Sequence, residues 1–318
     1  MMEHSSSINV ALKPDAATGV VSQRLFLALF EQIESNEDGV RRDADIEYLH
    51  DFRVTVRRTR ALLRHMRPVL PRDVLNAIRD EFAWLGGITG PLRDLDIQIV
   101  RFPEFLQHIP EVNRQHLQPL CDILKKHRES ERFLLLDALN SQRYQRLKQE
   151  WRDYLQGNNM AVWQSSTGGR RPAIVTARAL IWRQHGKVIK TGAELQVDSP
   201  DRRFHKLRKE CKRLRYLLEL FASLFSVSDI NSMIKTLKRL QDNLGEYQDA
   251  CVQVHTLAGY SDELKTYENG KQALPAIEKL IKQFELHKHD VRCAFFEVYD
   301  SFTRKKKRRR FESLFKPE

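Results

Sequence analysis

Sliding the sequence along itself by 155 residues superimposes two of its most distinctive stretches without a gap. HDFRVTVRRTRALL (50–63) falls on HKLRKECKRLRYLL (205–218), and in the same register LGGITGPLRD (85–94) falls on LQDNLGEYQD (240–249). Ten of the 45 positions from 50 to 94 are identical to their counterparts, where composition alone predicts about three. The coincidences include His50/His205, Arg53/Arg208, Arg58/Arg213, Arg60/Arg215, Leu85/Leu240, Gly90/Gly245 and Asp94/Asp249. A generic amphipathic pattern requires apolar residues at these spacings but not a recurring His, Arg, Gly or Asp. The chain therefore reads as an internal duplication.

The repeated unit is helical by its punctuation. Gly and Pro together number 24 of 318 residues, charged residues reach 30%, and no alternating strand pattern of useful length occurs. A first amphipathic run covers Val20–Ile33 and ends at Ser35-Asn36, with a counterpart opening at Pro172. A long helix follows over 43–67, stopped by Pro68 and Pro71, and its partner is announced by Ser199-Pro200 and runs to about Phe225. Third helices are predicted at 72–86 and 228–244, ended by Gly86-Gly87 and Gly245, and fourth helices near 92–107 and 247–258. Longer helices fill 114–155, with Pro119 as a candidate interruption, and 270–303. The expected fold class is all-α, two pseudo-symmetric helical bundles from the duplication, each burying its stripes against its own neighbours. The expected organisation is a flexible N-terminus (1–16), a first bundle (17–156), a linker rich in Asn, Ser, Thr and Gly (157–171), a second bundle (172–303) and a basic C-terminal tail (304–318).

A hydrophobic share of 41% excludes disorder throughout, and the four cysteines (Cys121, Cys211, Cys251, Cys293) form no CxxC pair for zinc or redox chemistry. They are expected as core residues in a reducing compartment. The first twenty residues carry neither a basic nor an apolar targeting segment, and no apolar run approaches membrane-spanning length, so a cytoplasmic protein without a membrane partner is expected. GxxxxGK[ST], HExxH and GxSxG are all missing, so neither a catalytic role nor a cofactor is expected.

The net charge is +12, of which RKKKRRR (304–310) supplies 7. The rest has a pattern. His50, Arg53, Arg57, Arg60 and Arg64 follow i, i+3, i+7, i+10, i+14, one helical face about 21 Å long. Phe52, Val56, Thr59, Leu63 and Met66 occupy the opposite, inward face. In the second copy His205, Arg208, Lys212 and Arg215 take the equivalent face, with Lys209 and Arg213 beside them, and Glu219 stands where the first copy has Arg64. Unrelieved like charges on one face destabilise an isolated helix, and guanidinium forks suit phosphate oxygens bidentately. A face tied to neighbouring Asp and Glu explains a single arginine; a ladder present in both copies points to an anionic ligand. His50 and His205 are either structural or phosphate donors that gain charge as pH falls. Asp94 and Asp249 are expected to cap the fourth helices or to orient an arginine from the long helix.

HDFRVTVRRTRALL, HKLRKECKRLRYLLELF, LGGITGPLRDLD and LGEYQDACV resemble the signatures of the CHAD family, the conserved histidine α-helical domain, in both halves and in order over about 17–302. The resemblance implies two four-helix bundles whose basic helices line a groove for inorganic polyphosphate, and association with polyphosphate granules in some members. It assigns binding to His50, Arg53, Arg57, Arg58 and Arg60, and to His205, Arg208, Lys212, Arg213 and Arg215; the charge pattern adds Arg64 and Lys209 as binding candidates. The sequence departs from some members in having no ExExK motif of a triphosphate-tunnel domain. The competing reading is a nucleic-acid binder, since a pI near 9.6 and a heptabasic run attract any phosphate backbone. No zinc-finger spacing or aromatic stacking ladder supports it.

Overall fold

In a computed structural model, residues 10–107, 109–157, 160–267 and 269–317 are described. They form helices α1 (Thr18–Arg42), α2 (Ile46–Leu63), α3 (Arg72–Ile88), α4 (Gly90–Gln107), α5 (Glu111–Arg114), α6 (Gln118–Asn140) and α7 (Gln142–Gln156). After these come α8 (Met160–Ser165), α9 (Thr167–Arg170), α10 (Ala173–Ala193), α11 (Asp201–Leu220), α12 (Val227–Thr266), α13 (Leu274–Thr303) and α14 (Lys305–Phe315). Apart from one bridge between Ala17 and Pro172, the described residues contain no β-structure. None of these helices is long and apolar enough to cross a membrane.

Helix starts recur at the spacing seen in the sequence: Thr18 and Ala173, Ile46 and Asp201, Arg72 and Val227 are each 155 residues apart. The Ala17–Pro172 bridge joins one such pair. Its two hydrogen bonds are reciprocal, Thr18 N donating to Arg171 O and Ala173 N to Ala16 O, both at 2.8 Å. Residues 10–16, expected to be flexible, are thereby held: Leu12 is buried and its amide donates to Ser223 Oγ, which donates in turn to Val10 O. Residues 1–9 lie outside the described residues.

Apolar stripes decide the packing. α1 lies on α2, α10 on α11, α4 on α6 and α12 on α13. Phe52, Val56, Thr59, Leu63 and Met66 are all buried, as their displacement from the basic face requires. Separate interiors for the two halves, however, are not what forms. The larger apolar cluster contains Phe26, Phe82 and Trp151 together with Phe204, Leu237 and Phe295. The smaller joins Phe105 and Ile123 to Leu257 and Leu280. Of the cysteines only Cys211 is fully buried, and Cys293 is exposed.

Four segments differ from expectation, each for a local reason. α1 runs past Ser35-Asn36 because both side chains bond back to Gln32 O, and it stops where Asp43 adopts φ 53° with its amide on the last carbonyls. Pro119 sits in the first turn of α6, where a missing N–H costs nothing; the real break is at Ser141, whose hydroxyl caps α7. The 157–171 segment, expected as a linker, carries α8 and α9 and buries Trp163 beside Phe26 and Tyr154. The C-terminal basic run, expected to be a tail, forms α14, which seats Phe311 on His185 with ring centroids 4.1 Å apart and Phe315 against Phe225.

The fifth difference bears on the site. Gly245 is expected to end a helix, but α12, 40 residues long, runs straight through it. The first half breaks at the equivalent place, where Thr89 turns the chain between α3 and α4. A Cβ at Gly245 would meet nothing within 4 Å. Gly245→Ala is therefore expected to stabilise the protein by about 0.5–1 kcal/mol through helix propensity, read as a rise of about 1–3 °C in Tm.

Candidate functional site

α2 and α11 pack side by side, and the two basic ladders meet along the cleft they form. The cleft has two chambers. The wider, about 550 Å³, is walled by His50, Arg57 and Arg58 of α2, by Arg208, Lys212 and Arg215 of α11, and by Gly245 and Asp249 of α12. The narrower, about 330 Å³, is walled by Arg57, Arg60 and Arg64, by Lys209, Lys212 and Arg213, and by Arg79 and Asp80 of α3. Arg57, Lys212 and Tyr216 belong to both walls and mark the junction. Arg57 and Lys212 occupy equivalent positions in the 155-residue register. Neither makes an ion pair or hydrogen bond among the described residues. Burial, with Arg208 and Arg57 nearby, pushes the Lys212 ammonium down to about 7.

Ten of the twelve residues expected at the site line these chambers; Arg53 and His205 do not. Arg53 donates through one Nη to Gly86 O (3.3 Å) and Thr89 Oγ1 (3.1 Å), and burial pushes it down to about 10. The cause is the break at Thr89: it offers acceptors that the continuous α12 does not, since Leu244 stands in the equivalent place. Arg208, the counterpart of Arg53, is left to face the wider chamber with a buried Nε that has no partner. Arg53 thus secures the end of α3.

Both histidines use Nδ1 toward equivalent positions. His50 Nδ1 lies 3.2 Å from an Nη of Arg93, and His205 Nδ1 lies 2.5 Å from Gln248 Oε1. A guanidinium only donates, so His50 Nδ1 accepts and its proton sits on Nε2. Burial and Arg93 lower its pKa, keeping the ring neutral near pH 7. Asp94 and Asp249 cap nothing. Asp249 lies within the long α12, 3.4 Å from Arg101, and Asp94 is raised by burial and opposed by Arg53 and Arg57. The arginine that Asp249 meets belongs to α4 rather than to the long helix as expected, whereas the arginines opposed to Asp94, Arg53 and Arg57, do lie on the long helix α2.

The ends of the cleft differ in charge. Glu219 accepts from Arg58 (2.9 Å) and Arg215 (2.6 Å), tying α2 to α11 and neutralising the wider chamber's rim. Arg64, its counterpart, faces Arg213 and Arg60: burial and Arg213 together lower the pKa of both Arg60 and Arg64. Arg213 itself is held by Glu210 at 2.5 Å. Sequence reasoning missed Arg79, Arg93, Arg101 and Tyr216. Arg93 was within reach, as it sits in the LRD segment that recurs; Arg79 and Arg101 belong to no repeated pattern.

No group of three or more His, Cys, Asp or Glu able to hold a metal occurs among the described residues. A fixed array of guanidinium and ammonium donors without such a group can neutralise a polyanion electrostatically. The family model of the CHAD domain matches residues 24–258. The chain belongs to the CHAD domain family. Membership supports a generic, non-catalytic binding role. The chain superposes on the crystal structure of the CHAD domain from the plant Ricinus communis with a TM-score of 0.75 and 25% identity, covering 92% of this chain and 95% of that one. PptA from Streptomyces chartreusis shares the CHAD-like fold at a TM-score of 0.69 and 17% identity, with 90% and 100% covered. Two uncharacterized Mycobacterium tuberculosis proteins, from strains CDC 1551 and H37Rv, are each 29% identical over 235 residues. Those residues are 71% of this chain but 43% of each relative, so the chain spans less than half the length of the curated relatives it matches.

Proposed function

We propose that this CHAD domain binds inorganic polyphosphate, without a chemical step, in the cleft between α2 and α11. The observation that carries the reading is the meeting of both ladders on one cleft, with Arg57 and Lys212 unpaired at its centre. A chain of singly charged phosphates at close spacing offsets the repulsion between such donors, and a preorganised array keeps the entropic cost of binding small. The recurring helix starts and the reciprocal Ala17–Pro172 bridge support a duplicated pair of four-helix units, with the cleft between equivalent helices. The same reading makes association with polyphosphate granules in the cytoplasm an expectation for localisation microscopy.

Parallel titrations with long-chain polyphosphate, single-stranded RNA and duplex DNA at one salt concentration test the proposal. Polyphosphate is expected to bind most tightly, with affinity falling as salt rises. Tighter binding of either nucleic acid would favour the competing reading instead.

Protonation supplies a second check. A bound polyanion favours the charged form of Lys212 and raises its pKa from about 7, so binding takes up a proton between that value and the higher one in the complex. Affinity is then full below pH 7 and declines above it, by at most about tenfold per pH unit for one proton. Lys212→Arg, always charged, is expected to flatten the profile. Calorimetry in two buffers of different ionisation enthalpy reads the proton directly, and equal uptake by wild type and variant would exclude Lys212 as its source.

A further inference from the structure

The Glu219/Arg64 difference makes the cleft directional. The wider chamber brings its own anions: Glu219 holds Arg58 and Arg215, Glu246 holds His287, and Asp249 faces Arg101. In the narrower chamber Arg57, Arg60, Arg64, Arg79, Lys209 and Lys212 make no ion pair among the described residues, and the one acid on its wall, Asp80, is exposed and likewise unpaired there. Arg60 comes from α2 and Arg64 caps its C-terminal end, Lys209 and Arg213 come from the facing helix and Arg79 from a third, so donors converge from three sides on a space of about 330 Å³.

Resting on the polyphosphate reading, we infer that the narrower chamber is an end-binding subsite: it takes the terminal phosphates of an oligophosphate, while the remainder of a longer chain passes Arg57 and Lys212 into the wider chamber. A terminal phosphate carries up to one more negative charge than an internal one and exposes three oxygens to donors. A site with many free donors and little internal acid discriminates in favour of such an end, whereas a partly neutralised channel tolerates the singly charged interior of the chain. Charge complementarity sets orientation before it sets affinity. Tripolyphosphate, which is mostly ends, is therefore a ligand of the narrower chamber alone.

The test uses the full chain with tripolyphosphate and long-chain polyphosphate as probes. Arg64→Glu places a carboxylate where the opposite end of the cleft already holds one, beside arginines equivalent to Arg58 and Arg215, so the fold has a precedent for it. Tripolyphosphate affinity is expected to drop at least about tenfold, with long chains losing less because the wider chamber and the junction persist. Arg60→Ala, which breaks no ion pair among the described residues, is expected to act in the same direction and serves if the first variant loses its helical circular dichroism. Arg215→Ala in the wider chamber is expected to weaken long-chain binding more than tripolyphosphate binding, the reverse of Arg64→Glu. Tripolyphosphate affinity unchanged by Arg64→Glu or by Arg60→Ala, or weakened as much by Arg215→Ala, would overturn the inference. Long chains binding while tripolyphosphate does not would overturn it alone and leave the polyphosphate reading standing; binding of neither probe would overturn both.

Discussion

Reversing both central charges, Arg57→Glu with Lys212→Glu, is expected to weaken polyphosphate binding at least about a hundredfold, or about 2.8 kcal/mol. The two side chains are equivalent in the two halves, belong to both chambers, and make no ion pair among the described residues. Their loss therefore strands no buried carboxylate, which would otherwise confound folding with binding. Two cations become two anions at the junction that a long chain crosses on the proposed reading, and the salt dependence should flatten as contacts disappear. Arg53 is a poor choice for the same experiment, because its guanidinium holds Gly86 O and Thr89 Oγ1. Wild-type affinity in a double variant with native helix content would place the site elsewhere on the protein.

The C-terminal basic helix is expected to matter more for stability than for its charge. Phe311 and Phe315 are 2% and 0% exposed, one stacked on His185 and the other edge-on to Phe225. Truncating a buried Phe to Ala costs about 3–5 kcal/mol, against a total stability of about 5–15 kcal/mol for a folded domain. Phe311→Ala combined with Phe315→Ala, or a chain ending before Arg304, should therefore lower the denaturant midpoint sharply and open the apolar seat on α10. Arg308→Ala with Arg309→Ala, at exposed positions of the same helix, should stay within about 0.5 kcal/mol of wild type. A truncated chain as stable as the whole would mean that α14 does not hold its seat.

What the sequence made legible follows from what repeats in it. The 155-residue register located α2 and α11, their inward apolar faces and most of the residues that line the cleft, because these rest on helical periodicity plus a recurring polar residue, while Arg64 and Lys209 rest on the charge pattern alone. It could not locate Arg79 or Arg101, which reach the cleft only through the packing of α3 and α4 and have no repeated neighbour to reveal them. Arg53 and His205 misled for the converse reason. Their spacing is right, yet a helix break at Thr89 and an amide at Gln248 supply nearer partners that periodicity cannot encode. Glycine misled too: Gly245 is a helix-stopping signal by type, but nothing in α12 needs the chain to turn there. In α14 composition hid the pattern, since seven consecutive cations mask Phe311 and Phe315, the two residues four apart that dock it.

The reciprocal bridge at Ala17 and Pro172 has the form of a contact across a twofold axis, with each strand giving and receiving the same bond. Two identical subunits meeting this way are bound to present the same side chain at both ends of any cleft on that axis. They could carry two arginines at the position of Arg64 and Glu219, or two glutamates, but never one of each. A single covalent chain has no such obligation. On the polyphosphate reading proposed above, joining both halves in one polypeptide lets a symmetric cradle acquire a head and a tail, so that a polymer with no intrinsic direction would be held with one.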